Sequence, residues 1–311
     1  MSQFIYPSYI LSEDRKIFLL ELTNSIYKKF VKTLTIGDNE CFGMFVDNLL
    51  SDLFYDKSLT VNSLTNVDKL YMLICVRAYC IGSTITFNTE VPNEKEKEKK
   101  KTKAKITIDL NEVLNRLGNY DIVHSYKFED RGITVEGALP RKLYYDNIME
   151  VAADTLSTIT TNKKAVNVYQ VDLADRIKIL GTLPSAILPR IIDFLQTQEQ
   201  VLKNDPLIVF NTTKELPFDK QLGLQLYNGT IGEIVKILFN TNMKDLYTTE
   251  YTLMRRFKFT YSAIESCTPA ELGVYYEIIH RDLEREKKEM EEQQRSGGNN
   301  LAAPPKNLAP E

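Results

Sequence analysis

The sequence predicts a helix-rich α+β protein, with a small antiparallel β-hairpin or sheet domain in the N-terminal half and a mostly helical C-terminal half. A helix-like run at 68–82 precedes two strand-like runs at 83–91 and 104–110. From Leu143 onward the pattern is mainly helical, and helix-capping signals appear near the C-terminus. The 311 residues, of which 43% are hydrophobic, suit one to three domains with real cores.

The segment 68–110 is predicted to form a helix followed by a hairpin. Thr65 or Asn66 can cap the helix, and Gly82 lies where it should end, because glycine accepts a left-handed backbone there. The hairpin tip at 92–105 carries charges of both signs, which is typical of a solvated turn. Contact between its lysines and an acidic partner is the alternative. The tip lacks interleaved aromatic residues, which argues against stacking on single-stranded nucleic acid.

This helix and hairpin form the centre of a predicted α+β domain at 1–140. Residues 4–11 look extended, and Ser12–Asp14 are expected to cap a helix. The remaining elements predicted in this domain are a helix over 15–32, a helix over 41–56, a short helix over 111–119 and a strand between Gly132 and Gly137.

Three further regions follow: a central helical region at 141–240, a C-terminal helix pair at 241–294 and a disordered tail at 295–311. In the central region, helices are expected over 144–158 and 168–202, where Gly181 ends one helix and Pro189 fits the first turn of the next. A short strand is expected at 207–210, and a helix or a strand–helix pair over 221–239. The tail is rich in Gly, Asn and Pro and has little to bury.

The C-terminal region has the clearest helix signals in the chain. Ser262 with Glu265, and Thr268 with Glu271, both have the spacing of a capping box. The last helix carries an apolar stripe, which consists of Leu272, Tyr275, Tyr276, Ile279 and Leu283. The stripe either packs on the chain's own central helices or contacts a partner.

Composition excludes several functions. A net charge of −3 and a pI near 5.7 argue against a nucleic-acid footprint. The four cysteines form no CxxC pair, so we expect buried free thiols and no zinc site. The apolar runs are too short to span a membrane, and residues 1–16 do not read as a secretory signal.

No catalytic constellation is recognisable. His124 and His280 have no nucleophile pattern beside them, and neither a P-loop nor a GxGxxG motif occurs. We therefore predict a non-enzymatic protein without cofactor or metal. The predicted partner-binding residues are Arg77, Tyr275, Tyr276, Ile279 and Leu283. Arg77, in an otherwise apolar helix, either forms a salt bridge, extends to the surface or binds a partner.

Two motifs carry a family resemblance. The helix motif LTNVDKLYMLICVRAYCIG (64–82) and the strand ending ITIDLN (106–111) resemble the core of the baseplate hub assembly proteins of T-even-type, contractile-tailed phages. Some relatives have cysteine pairs at the hairpin tip, whereas this chain has Glu and Lys there, so the resemblance implies no metal. Residues 203–240 have no counterpart in the resemblance.

The resemblance implies a non-enzymatic chaperone or scaffold that binds other baseplate hub or tail proteins. Such a protein would act in the host cytoplasm during phage assembly and, if it is retained, in the virion. The alternatives are a permanent structural subunit of the baseplate hub and a polyanion-binding adaptor that acts through the lysine tip.

Overall fold

The computed structural model describes residues 4–34, 38–92, 101–161, 164–212 and 221–297. Its helices and small antiparallel sheets confirm the predicted α+β class. Residues 93–100 of the charged tip and residues 298–311 of the tail lie outside the described residues, so the predictions made for them stay predictions.

The first part of the chain combines hairpins with packed helices. Its elements are β1 (Ile5–Ile10), β2 (Arg15–Leu20), α1 (Asn24–Leu34), α2 (Asn39–Leu53), α3 (Asn66–Cys80), β3 (Thr84–Pro92), β4 (Lys101–Asp109), α4 (Leu110–Gly118), β5 (Ser125–Asp130) and β6 (Ile133–Ala138).

The second part begins with alternating helices and strands and ends in helices. Its elements are α5 (Ile148–Thr155), β7 (Leu156–Thr161), β8 (Lys164–Asn167), α6 (Leu173–Thr182), α7 (Ile187–Asn204), β9 (Ile208–Val209), β10 (Asn211–Thr212), β11 (Gln221–Leu222), α8 (Thr230–Phe239), α9 (Met243–Phe257), α10 (Tyr261–Ser266) and α11 (Pro269–Gly297).

The prediction of one helix over 15–32 is wrong in its first half. Residues 15–20 form β2, which pairs antiparallel with β1, and the helix begins only at Asn24. Ile17 and Leu19 point inward while their neighbours face out, which is the two-residue period of a strand. Residues 11–13 form a short 3-10 turn rather than a cap, and Asp14 closes the hairpin at a φ of 47°.

Helix α3 lies at the centre of the first part and packs against β1, α4 and α8. The predicted capping is confirmed: the Thr65 hydroxyl accepts from Asp68 N (3.2 Å), while Thr65 N donates to the Asp68 carboxylate (3.0 Å). Asp68 also accepts from the backbone and hydroxyl of Ser12. The predicted glycine end is confirmed, because Gly82 follows the helix at a φ of 142°.

The predicted hairpin after α3 is also confirmed. Strands β3 and β4 pair in register from Thr84–Asp109 to Pro92–Lys101, and the short β10 adds to the other edge of β4. The hairpin contributes Ile85 and Ile108 to one large core. This core contains buried residues from two stretches of the sequence, Tyr6–Leu143 and Leu202–Phe239. The segment after 203, which the family resemblance left without a counterpart, therefore completes the core of the N-terminal half.

A four-stranded antiparallel sheet in the order β5-β6-β7-β8 forms the second core together with α5, α6 and α7. Here the prediction of one helix over 144–158 is wrong at both ends, because the helix covers only 148–155 and β7 follows at once. Within the described part of 141–240 the chain adds strands β7 to β11 to its helices. The domain boundaries stay a prediction.

Candidate partner-binding surface

Helices α9, α10 and α11 form a C-terminal unit at 243–297. One predicted capping box is confirmed: Thr268 N donates to Glu271 (2.7 Å), and the Thr268 hydroxyl accepts from Glu271 N (3.2 Å). The box predicted at Ser262 is wrong, because Thr260 caps α10 and accepts from Ala263 N. The two caps set where α10 and α11 begin.

The predicted stripe on α11 divides between burial and exposure. Leu272 and Ile279 are each 5% exposed and pack with Leu253 and Ile264 in a small core of this unit. Leu283 lies at the edge of that core. Tyr275 remains 41% exposed and its ring centre lies 5.2 Å from that of Phe259. The stripe thus packs on α9 and α10, rather than on the central helices, and Tyr276 lies beside it, half-buried.

A second apolar group on α11 escaped the sequence analysis. Val274 is 56% and Ile278 43% exposed, one helical turn apart and next to Tyr275. The spacing of Val274 and Ile278, four residues apart, indicates a shared helix face. Only the longer stripe that begins at Leu272 was considered from the sequence, so this pair was not predicted. Beyond Leu283, α11 continues for 14 residues, about 21 Å, and residues 284–293 are exposed.

A buried ionic cluster holds the C-terminal unit on α1. Lys28, 6% exposed, forms ion pairs with Glu250 (2.9 Å) and Glu265. Asn24 donates from its side chain to Glu250 (2.7 Å) and from its backbone to the carbonyl of Cys267 (2.7 Å). No local sequence signal links residues more than 200 positions apart, so this cluster was not predictable.

The charges in the cluster stabilise one another. Burial alone would lower the pKa of Lys28, but hydrogen bonds to two carboxylates outweigh it and raise this pKa above its ordinary value. Burial would likewise raise the pKa of Glu265, yet the bond from Lys28 holds it below its ordinary value. The rings of Tyr247 and Tyr261 flank the ammonium group at 5.7 and 5.2 Å.

Arg77 lies at the junction of α3 and α8. Its Nε donates to the carbonyl of Leu238 (2.8 Å) and its Nη1 to that of Gly82 (2.6 Å). Burial lowers the pKa of its guanidinium group, which the nearby Tyr27 partly offsets. Arg77 thus links the end of α3 to α8 through backbone carbonyls. This role differs from the salt bridge, the extension to the surface and the partner binding that the sequence analysis considered.

A cavity of about 870 Å³ lies between α2, α5, α6 and α8. Acidic residues line it, among them Glu40, Glu150 and Glu233. Each of these three belongs to the first turn of a helix, where a carboxylate stabilises the positive end of the helix dipole. Dipole interactions therefore account for these three glutamates, and Asp47, which also lines the cavity, is paired with Lys69 (2.7 Å).

Among the described residues, no group of His, Cys, Asp and Glu is arranged to hold a metal ion, and the four cysteines are free thiols. Burial raises the pKa of Cys75 to about 11, so this thiol stays protonated at neutral pH. None of the helices in the described ranges is both long enough and apolar enough to span a bilayer.

The fold and surfaces above describe a multi-helix α+β protein whose last helix exposes a small apolar group. Residues 1–215 match the family model described as T4 bacteriophage base plate protein. The chain belongs to this family and is a phage baseplate protein, which confirms that level of the resemblance. The match ends before α8, so the whole C-terminal unit lies beyond it. Neither the curated proteins nor the solved structures contain a match to the chain.

Proposed function

We propose that this protein is a non-enzymatic assembly chaperone or scaffold of the baseplate hub, which acts in the host cytoplasm and binds other hub or tail proteins through α11. The observation that supports this is the exposed apolar group Val274, Tyr275 and Ile278, on a helix that extends past the last residue of its core. Membership of a baseplate family supplies the context of other tail proteins.

The size of the apolar group suits reversible binding. The three side chains expose on the order of 200 Å², and at about 25 cal/mol per Å² their burial would contribute roughly 5 kcal/mol. Association itself costs a comparable amount, so this contact alone gives weak affinity. A chaperone that must leave its client needs such a contact, whereas a permanent subunit needs a larger one.

Deletion of 269–311 tests the role of α11. We expect tagged full-length protein to recover hub proteins from infected cells, and the deleted protein to lose them. The double variant Val274→Ser and Ile278→Ser should have the same effect without removing the helix, and Met44→Ser is a matched control, since Met44 is 61% exposed on α2. Unchanged recovery by the double variant would remove this surface from the mechanism.

The second candidate is a permanent structural subunit of the baseplate hub. The family description favours it directly, because it names the base plate and no assembly role. The two candidates differ in whether the finished virion contains the protein. Stoichiometric copies in purified virions would establish the structural subunit, and their absence would support the assembly factor.

A further inference from the structure

We propose that the outward side of the β1–β2 hairpin is a docking surface for another baseplate protein, one that presents an apolar surface with a carboxylate opposite Lys16. We call this side the outer hairpin face. It comprises Ile5, Pro7, Tyr9, Lys16, Phe18 and Leu20, with Tyr55 beside them. The proposal depends on the family assignment and holds for either candidate function.

The hairpin is apolar on both sides, which a half-buried sheet does not require. Its inner side packs on the large core through residues such as Tyr6, Ile10 and Leu19. The opposite side of a solvated antiparallel pair ordinarily carries polar residues. Here two of its three cross-strand pairs are apolar, Ile5 with Leu20 and Pro7 with Phe18. These residues are not needed for the hairpin's own packing.

Tyr55 extends the outer hairpin face sideways. Phe54 pairs with Leu19 in an isolated antiparallel bridge, and Tyr55 N donates to the carbonyl of Phe18 (3.2 Å). Phe18 is 42% and Tyr55 59% exposed, and Ile5 and Tyr9 are each about two-fifths exposed. The accessible area is on the order of 400 Å², in the range of the largest patch on a typical monomer, which is often functional.

The partner contacts the face of the hairpin rather than its edge. The carbonyl of Phe18 points toward Tyr55, so Phe18 and Pro7 form a pair without hydrogen bonds to each other. The backbone of Pro7 must then point to the open edge of β1. Since proline has no N–H, that edge lacks a donor in its middle, which opposes the addition of another strand.

Charge and area define the occupant. Lys16 is the one charged side chain of the outer hairpin face, and its Nζ lies 5.5 Å from the centre of the Phe18 ring. Among the described residues no carboxylate lies within ion-pair distance of it, so a partner carboxylate would complete the site. A second copy that docked through the same face would bury about 800 Å² in total, below the roughly 1,200 Å² of stable interfaces, and would bring another Lys16 instead of a carboxylate. The occupant is therefore a different protein that also makes contacts beyond this face.

Co-expression with each baseplate protein of the same phage, one at a time, tests this inference. We expect one of them to co-purify with the wild-type protein and Phe18→Ser to reduce its recovery at least fivefold. Val166→Ser is the control, because Val166 is 46% exposed on β8. Tyr55→Ser should repeat the loss without any change inside the hairpin. Equal recovery with all variants, or no co-purifying protein, would overturn the proposal.

Two further measurements identify the contact. Lys16→Glu should weaken the complex, whereas Lys16→Arg should retain it; equal effects of the two would refute the partner carboxylate. A photo-crosslinking residue at position 55 should attach to a different baseplate protein, and attachment to a second copy of this chain would overturn the choice of occupant. Deletion of 269–311 tests the function proposed for α11, so failure of either idea is recognisable separately.

Discussion

The two ends of this protein are stabilised in different ways. In the described residues up to 239, which we call the body and most of which the family model matches, the large core joins elements that are distant in sequence, from β1 to α8. Residues such as Phe42 and Leu73 are fully buried there. The C-terminal unit has a core of only four buried residues, and the cluster around Lys28 is a central part of its attachment.

This difference predicts that the C-terminal unit loosens before the rest of the chain unfolds. Apolar burial over many residues favours cooperative unfolding of the body. The C-terminal unit, by contrast, adds only a few apolar contacts to the body, such as those of Met243 and Leu246, so the ionic cluster matters more to its attachment. Helix α11, which we propose as the partner-binding helix, would then adjust to its partner while the body keeps its structure.

Removing a core ring from the body should have the largest effect. Phe42 lies between Phe30 and Tyr144, with ring centres about 6 Å away. Phe42→Ala should cost about 4 kcal/mol, because it leaves a cavity at a fully buried site. Urea unfolding followed by far-UV circular dichroism should show the loss in the main transition. A main transition that does not move would show that the body is not one cooperative unit.

Lys28→Met should release the C-terminal unit while sparing the body. It leaves Glu250 buried without its cation, which costs about 3 kcal/mol for a broken buried pair. Hydrogen exchange should speed up in α9 to α11, with little change in the strands of the body. Lys29→Met is the neighbouring control, since Lys29 lies on the same helix outside the cluster. Uniform acceleration over the whole chain would contradict the separation.

Acid should loosen the same attachment. The pKa of Glu265 is lowered in the folded protein, so its contribution is present above the unfolded value of about 4.5 and is lost as pH falls through the folded value. Exchange in α9 to α11, corrected for intrinsic rates, should therefore rise first below about pH 4.5. Glu265→Gln should flatten this dependence; an unchanged profile would show that another carboxylate controls the attachment.

Loss of the cap of α11 should have the smallest effect. Thr268→Ala removes the acceptor for Glu271 N and should cost about 1 kcal/mol, confined to the first turn of the helix. Thr248→Ala, in the exposed middle of α9, is the control and should stay within about 0.5 kcal/mol. Hydrogen exchange resolved at residues 269–273 should be compared between the two variants. Equal acceleration by Thr268→Ala and Thr248→Ala would argue against the capping role of Thr268.

The sequence was informative where structure is local. The cap at Thr65, the glycine end at Gly82 and the box at Thr268 were predicted because each depends on residues within a few positions. The β3–β4 hairpin followed from two strand-like runs around a charged tip. Such signals fix where elements begin and end, but not how they pack.

Predictions failed where a distant partner decides the structure. Residues 15–20 become a strand because β1 pairs with them, although the run reads on into the helical pattern of α1. The Lys28 cluster joins α1 to α9 and α10 across more than 200 residues. The outer hairpin face could not be predicted either. Residues 15–20, which form β2, were expected to be helical, so their alternation between an inner and an outer side was not considered.

Mass spectrometry of purified virions, beside a lysate of infected cells, tests the central claim most directly. An assembly chaperone acts during construction of the baseplate and leaves it. We therefore expect this protein to be abundant in the lysate and missing from virions. Its presence in virions in fixed proportion to the other baseplate proteins would rule out the chaperone role and identify a permanent subunit.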